Sequence, residues 1–164
     1  MKHKLLILCL VVGCVLTADA KVTLPQLFQS GMVLQRGKPV PVWGKANAGE
    51  LVTVSWQKKQ FNATADAAGR WRVDLPKMKA GGPYSLEVKG EDGEKLLFDN
   101  VMVGDVWLLS GQSNIDVTIE RVYPQYVDEI EHFDIPQVRL FRVQNETNTH
   151  GVQEDIRRTS SMIA

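Results

Sequence analysis

The sequence predicts an antiparallel β-sandwich followed by the first strand–helix–strand unit of an α/β domain that the 164 residues begin and do not finish. Short β-branched and aromatic runs recur between Val22 and about Val103, separated by turn residues. After Asn100 a longer apolar run, a helical pattern and a second extended run follow one another within about forty residues. The boundary falls near residue 100, giving a sandwich over 21–100 and the start of the α/β domain over 101–164.

The sandwich strands are expected at Pro41 to Trp43, Leu51 to Trp56, Phe61 to Ala65, Trp71 to Leu75, Tyr84 to Lys89 and Lys95 to Phe98. Val52, Val54 and Trp56 alternate with Thr53 and Ser55, and Trp71, Val73 and Leu75 alternate with Arg72 and Asp74. That period puts one face of each strand in a core. Trp43, Trp56 and Trp71 are therefore expected to be core residues; the competing reading is a set of platforms for sugar rings. Asn47-Ala48-Gly49-Glu50, Asp66-Ala67-Ala68-Gly69 and Glu91-Asp92-Gly93-Glu94 each place an Asx before a glycine, the chemistry of a tight turn.

Val101 to Leu109 reads as a strand covered on both faces, interrupted at Gly104-Asp105. A helix is expected next, with Val122, Tyr126, Ile130 and Phe133 on one face and Asp128, Glu129 and Glu131 in water. Pro124 falls in its first turn and Pro136 closes it. Val138 to Val143 reads as the second strand. A sheet of this kind needs further strands and helices, so the chain is expected to be truncated.

At the amino end, Lys2-His3-Lys4, the apolar run from Leu5 to Leu16 and Ala18-Asp19-Ala20 have the form of an export signal spanning residues 1–20. The run is short for a membrane span. Val11-Val12-Gly13-Cys14 offers a second ending, a lipoprotein box with Cys14 as the lipidated residue. Both readings send the protein out of the cytoplasm, to a periplasmic or extracellular place. The chain's two cysteines, Cys9 and Cys14, lie inside that signal, which leaves the mature chain without a disulfide framework. Asn62-Ala63-Thr64 and Asn145-Glu146-Thr147 are glycosylation triplets, relevant only in a cell that glycosylates what it exports.

Nineteen basic side chains balance nineteen acidic ones and are spread along the chain, so there is no electrostatic footprint for nucleic acid. No glycine-rich phosphate loop or dinucleotide fingerprint occurs, and no cofactor is expected. Glu129 and His132 have the Glu-x-x-His spacing of di-iron bundles, but without the repeated motif they read as a solvated helix face, and no metal site is expected.

The chemistry concentrates in Ser110-Gly111-Gln112-Ser113-Asn114. A serine attacks an ester only with a base to take its proton and donors to hold the oxyanion. A strand-to-helix turn supplies the second need, exposing the side chain and aiming free amides at the developing charge. Gly111 suits the approach to the turn, and Ser113, with its own N–H, is the residue placed to react. Gln112 and Asn114 flank it. Gln144, Asn145, Asn148 and Gly151, in the loop after the second strand, are candidates for the substrate rim; a solvated connection is the competing reading. His3 leaves with the signal, His132 faces water and His150 sits in a polar loop, so none is a convincing base.

Leu24-Pro25-Gln26-Leu27-Phe28, Gly31-Met32-Val33-Leu34-Gln35, Val40-Pro41-Val42-Trp43-Gly44, Ala80-Gly81-Gly82-Pro83-Tyr84 and Gly104 to Asn114 together resemble the amino-terminal part of the sialate O-acetylesterases, in the SGNH hydrolase superfamily. The resemblance runs from about Val22 to Arg158. It implies a serine esterase that removes O-acetyl groups from sialic acid or other acetylated glycans, with Ser113 as nucleophile. It also implies a base in an Asp-x-x-His block, and no Asp-x-x-His occurs in these 164 residues. The chain by itself is therefore expected to be nearly inactive. The rival from another class is a non-catalytic glycan-binding or structural β-sandwich module.

Overall fold

The computed structural model describes residues 21–132, 135, 137–144, 147, 151–153 and 155–156. The segment 1–20, expected to be an export signal, with His3, Cys9 and Cys14, lies outside the described residues, as do Phe133, Pro136, Asn145, Asn148 and His150.

Seven strands form: β1 (Val33–Gln35), β2 (Val40–Lys45), β3 (Leu51–Trp56), β4 (Lys59–Thr64), β5 (Arg70–Leu75), β6 (Gly81–Lys89) and β7 (Lys95–Gly104). Five of them make one mixed sheet in the order β1-β7-β6-β3-β4, and β2 and β5 make a separate antiparallel ribbon. The six expected strands correspond to β2 to β7. The seventh, β1, is three residues long and pairs with β7 in parallel, so the sheet is not antiparallel throughout.

Alternation sets what each strand buries. In β3, Val52, Val54 and Trp56 point inward, and in β5 Trp71, Val73 and Leu75 do. They meet Val42 from β2, Leu86 and Val88 from β6, and Val101 and Val103 from β7 in one core shared by sheet and ribbon. Full burial of each of these valines and leucines stabilises the fold by about 1.5–3 kcal/mol before entropy is counted. Trp56 and Trp71 are core residues, as their alternation predicts. Trp43 is not: it lies on the outer face of β2, 37% exposed, with its ring edge-on to Phe28 at 5.0 Å.

The three turns keep their glycines at positive φ, 82° at Gly49, 73° at Gly69 and 82° at Gly93. Gly69 is the most constrained, because a Cβ there would also lie 2.5 Å from the Ala46 carbonyl oxygen. Asp66 completes that turn by accepting from the amides of Ala68 and Arg70, both at 2.9 Å. Glu50, buried at 7% exposure, ties two turns together by accepting from the amides of Asn47 at 2.9 Å and Glu91 at 3.1 Å.

The expected doubly covered strand from Val101 to Leu109 is corrected. Residues 101–104 are the end of β7, continuous with the strand that starts at Lys95, and their core is the one already described. The ladder ends at the Gln35–Gly104 pair, where β1 turns away and the Arg36 amide closes on the Gly104 carbonyl at 2.8 Å. Beyond it, Val106, Trp107, Leu108 and Leu109 are exposed and belong to no sheet.

The expected single helix is also corrected. It is divided into α1 (Ile119–Val122), a 3-10 turn at Tyr123–Gln125 and α2 (Val127–Glu131). Pro124, which lacks an amide to donate, sits in the 3-10 turn between the two pieces. Residues 138–143 form no strand: Leu140 and Val143 make isolated bridges only. The Arg139 side chain instead reaches back to the carbonyl oxygens of Gly31 and Asn100 and to Asn100 Oδ1, docking this segment on the root of β1 and on β7. Among the described residues no helix is long and apolar enough to cross a membrane.

Candidate active site

Ser113 is delivered by β7. Where that strand ends, Arg36 Nε and Nη2 donate to the two Asp105 carboxylate oxygens at 2.8 and 2.9 Å. One residue on, Gln35 Oε1 accepts from the Val106 amide at 2.9 Å. The root of the Ser113 loop is thus pinned on consecutive residues by consecutive side chains, Gln35 at the end of β1 and Arg36 just after it. The fork holds Asp105 below the ordinary carboxylate pKa, chiefly through its hydrogen bond to Arg36, and raises Arg36 in turn.

The loop ends in a 3-10 turn, Ser113–Asp116, closed by the Ile115 amide on the Gln112 carbonyl at 3.0 Å and the Val117 amide on the Asn114 carbonyl at 3.5 Å. Gly111, Gln112, Ser113 and Asn114 are all exposed. Among the described residues neither the Ser113 hydroxyl nor the amides of Ser113 and Asn114 make a hydrogen bond, so a nucleophile-type side chain and two adjacent donors share one solvent-facing turn. Gly111 is not sterically compelled: a Cβ there would make ordinary contact with Ile115 at 3.8 Å. The turn is one 3-10 turn rather than the start of a long helix, so its donors are local amides rather than the end of a summed helix dipole.

Of the rim candidates, Gln144 is exposed and no hydrogen bond among the described residues joins it to the Ser113 turn. Gly151 is exposed with φ at 119°. His132 caps α2 at its carboxyl end, exposed, and Glu129 is exposed beside it, a solvated face. Tyr123 donates to Glu131 Oε1 at 2.6 Å, which raises the phenol pKa. Gln35, Arg36 and Arg139 are the residues whose roles sequence reasoning missed. Gln35 and Asp105 do lie inside motif blocks, but no spacing rule joins side chains 70 residues apart.

The β-rich chain has similar counterparts among known proteins. It is similar to a carbohydrate acetylesterase from Xanthomonas citri, with 41% identity and a TM-score of 0.67 over 76% of this chain and 28% of that one. The human sialate O-acetylesterase is 32% identical over 133 residues, covering 72% of this chain and 25% of the relative. The mouse sialate O-acetylesterase is 30% identical over 122 residues, covering 68% and 23%. No family model matches the chain. The chain belongs to the sialate O-acetylesterase family, and it spans about a quarter of the length of the curated relatives it matches.

Proposed function

We infer that this chain is the part of a carbohydrate esterase that carries its nucleophile, in an enzyme that removes O-acetyl groups from sialic acid or related acetylated glycans. Ser113 attacks the acetyl carbonyl, its proton passes to a base, and the acetyl-enzyme formed is hydrolysed by water. The amides of Ser113 and Asn114 hold the oxyanion. The observation that carries this reading is Ser113 exposed beside two unengaged amides, within the Gly-Gln-Ser-Asn block of a chain 41% identical to a carbohydrate acetylesterase.

The two sheets are read as a β-sandwich domain over 21–100, and residues 101–164 as the beginning of an SGNH-type α/β catalytic domain. The partner base and its carboxylate come from outside these 164 residues, so the chain by itself turns over poorly. Its amino end directs export. Hydrolysis of p-nitrophenyl acetate by the full-length enzyme tests the reading. Ser113→Ala should abolish it; an enzyme that loses nothing on that substitution does not use Ser113.

A further inference from the structure

A groove among the described residues lies away from Ser113. It has a volume of about 710 Å³ and lies on the outer face of the β2–β5 ribbon, within the size range of small-molecule sites. Trp43 is its exposed aromatic, held edge-on by Phe28 and paired across the ribbon with Arg72. Leu24, Pro25 and Asp155 also line it, the Asp155 carboxylate accepting from the Gln26 amide at 3.1 Å. Alternation along both strands is what puts Trp43, Lys45, Arg70 and Arg72 outside together.

Three cationic side chains and one carboxylate thus line an aromatic groove. Arg70 pairs with Asp66 and Arg72 with Asp74, but both pairs are exposed, and such pairs are weak enough for an incoming carboxylate to compete. Indole faces take the apolar faces of sugar rings, while guanidinium forks take carboxylates. We propose that this groove is a second carbohydrate site, which holds a pyranose bearing a carboxylate against Trp43 and Arg72 and so anchors an acidic glycan apart from the Ser113 turn. The choice of an acidic sugar rests on the esterase reading above; the groove itself does not.

The test is titration of the 164-residue chain with 3′-sialyllactose and, separately, lactose, followed by amide and indole NMR shifts. Sialyllactose should move the Trp43 indole and the amides of Lys45 and Arg72, and lactose should bind about tenfold more weakly. Trp43→Ala should lower sialyllactose affinity about tenfold. Arg72→Gln, at an exposed position, should remove the preference for the charged sugar while leaving lactose binding unchanged, and it covers the case in which Trp43→Ala misfolds. Ser113→Ala should bind both sugars as the parent does. Absence of shifts at saturating sugar, equal affinity for lactose, or shifts centred on the Ser113 turn would each overturn the proposal. Groove binding in a full-length enzyme that is inert would sink the esterase reading alone, and an active enzyme without groove binding would sink the groove alone.

Discussion

Asp105 shows how a single side chain serves a remote one. Eight residues before Ser113, it fixes where the loop leaves the sheet through a two-point fork on Arg36. Because the folded pKa of Asp105 is depressed, the fork's contribution is present above the unfolded carboxylate value of about 3.9 and is lost as pH falls through the lower folded value. An NMR pH titration should therefore place the Asp105 midpoint below about 3.9, and Arg36→Gln should move it up. An unchanged midpoint would mean that the fork does not hold in solution. At Ser113 itself, exposure and the lack of partners among the described residues predict that Ser113→Ala changes folding stability by no more than about 0.5 kcal/mol. Thermal unfolding checks this, and a larger loss would give the hydroxyl a structural role.

Among the elements, the turn between β4 and β5 offers the sharpest test. Gly69 combines positive φ with a close approach to the Ala46 carbonyl, so Gly69→Ala should cost about 1–3 kcal/mol, measured by urea unfolding. Gly93, with positive φ and open space around it, should tolerate alanine better. The strands and turns from β2 to β7 were legible because two-residue alternation and Asx-Gly turns are local signals. β1 was not, being three residues whose partner lies about 70 residues away. The run from Val101 to Leu109 misled for a related reason. Apolar continuity records what a segment can bury, but its first half joins the core shared by sheet and ribbon while the side chains from Val106 to Leu109 stay exposed. Ser113 was singled out by its motif, and the structure places it exposed in a 3-10 turn. The Gln35, Arg36 and Arg139 contacts were invisible, since nothing in a one-dimensional pattern says which distant carbonyl an arginine will reach.

At the scale of the whole molecule, the described chain has two characters. Residues up to Gly104 share one core of sheet and ribbon, whereas Trp107, Leu108 and Leu109 beyond it are 82, 91 and 72% exposed. Native-state hydrogen exchange should mirror this, with slow exchange in β3, β5, β6 and β7 and fast exchange from residue 105 through 131. The boundary should fall at Gly104, at the last β1–β7 pair. Uniform protection across that boundary would mean that the second region is packed in solution as firmly as the first.

The role assigned to Ser113 is tested most directly by covalent trapping. Treatment of the active full-length enzyme with an organophosphate acylation mimic, followed by peptide mass spectrometry, should put the adduct on Ser113 in step with the loss of acetylesterase activity. Inactivation with the adduct on another residue, or full activity with Ser113 modified, would contradict it.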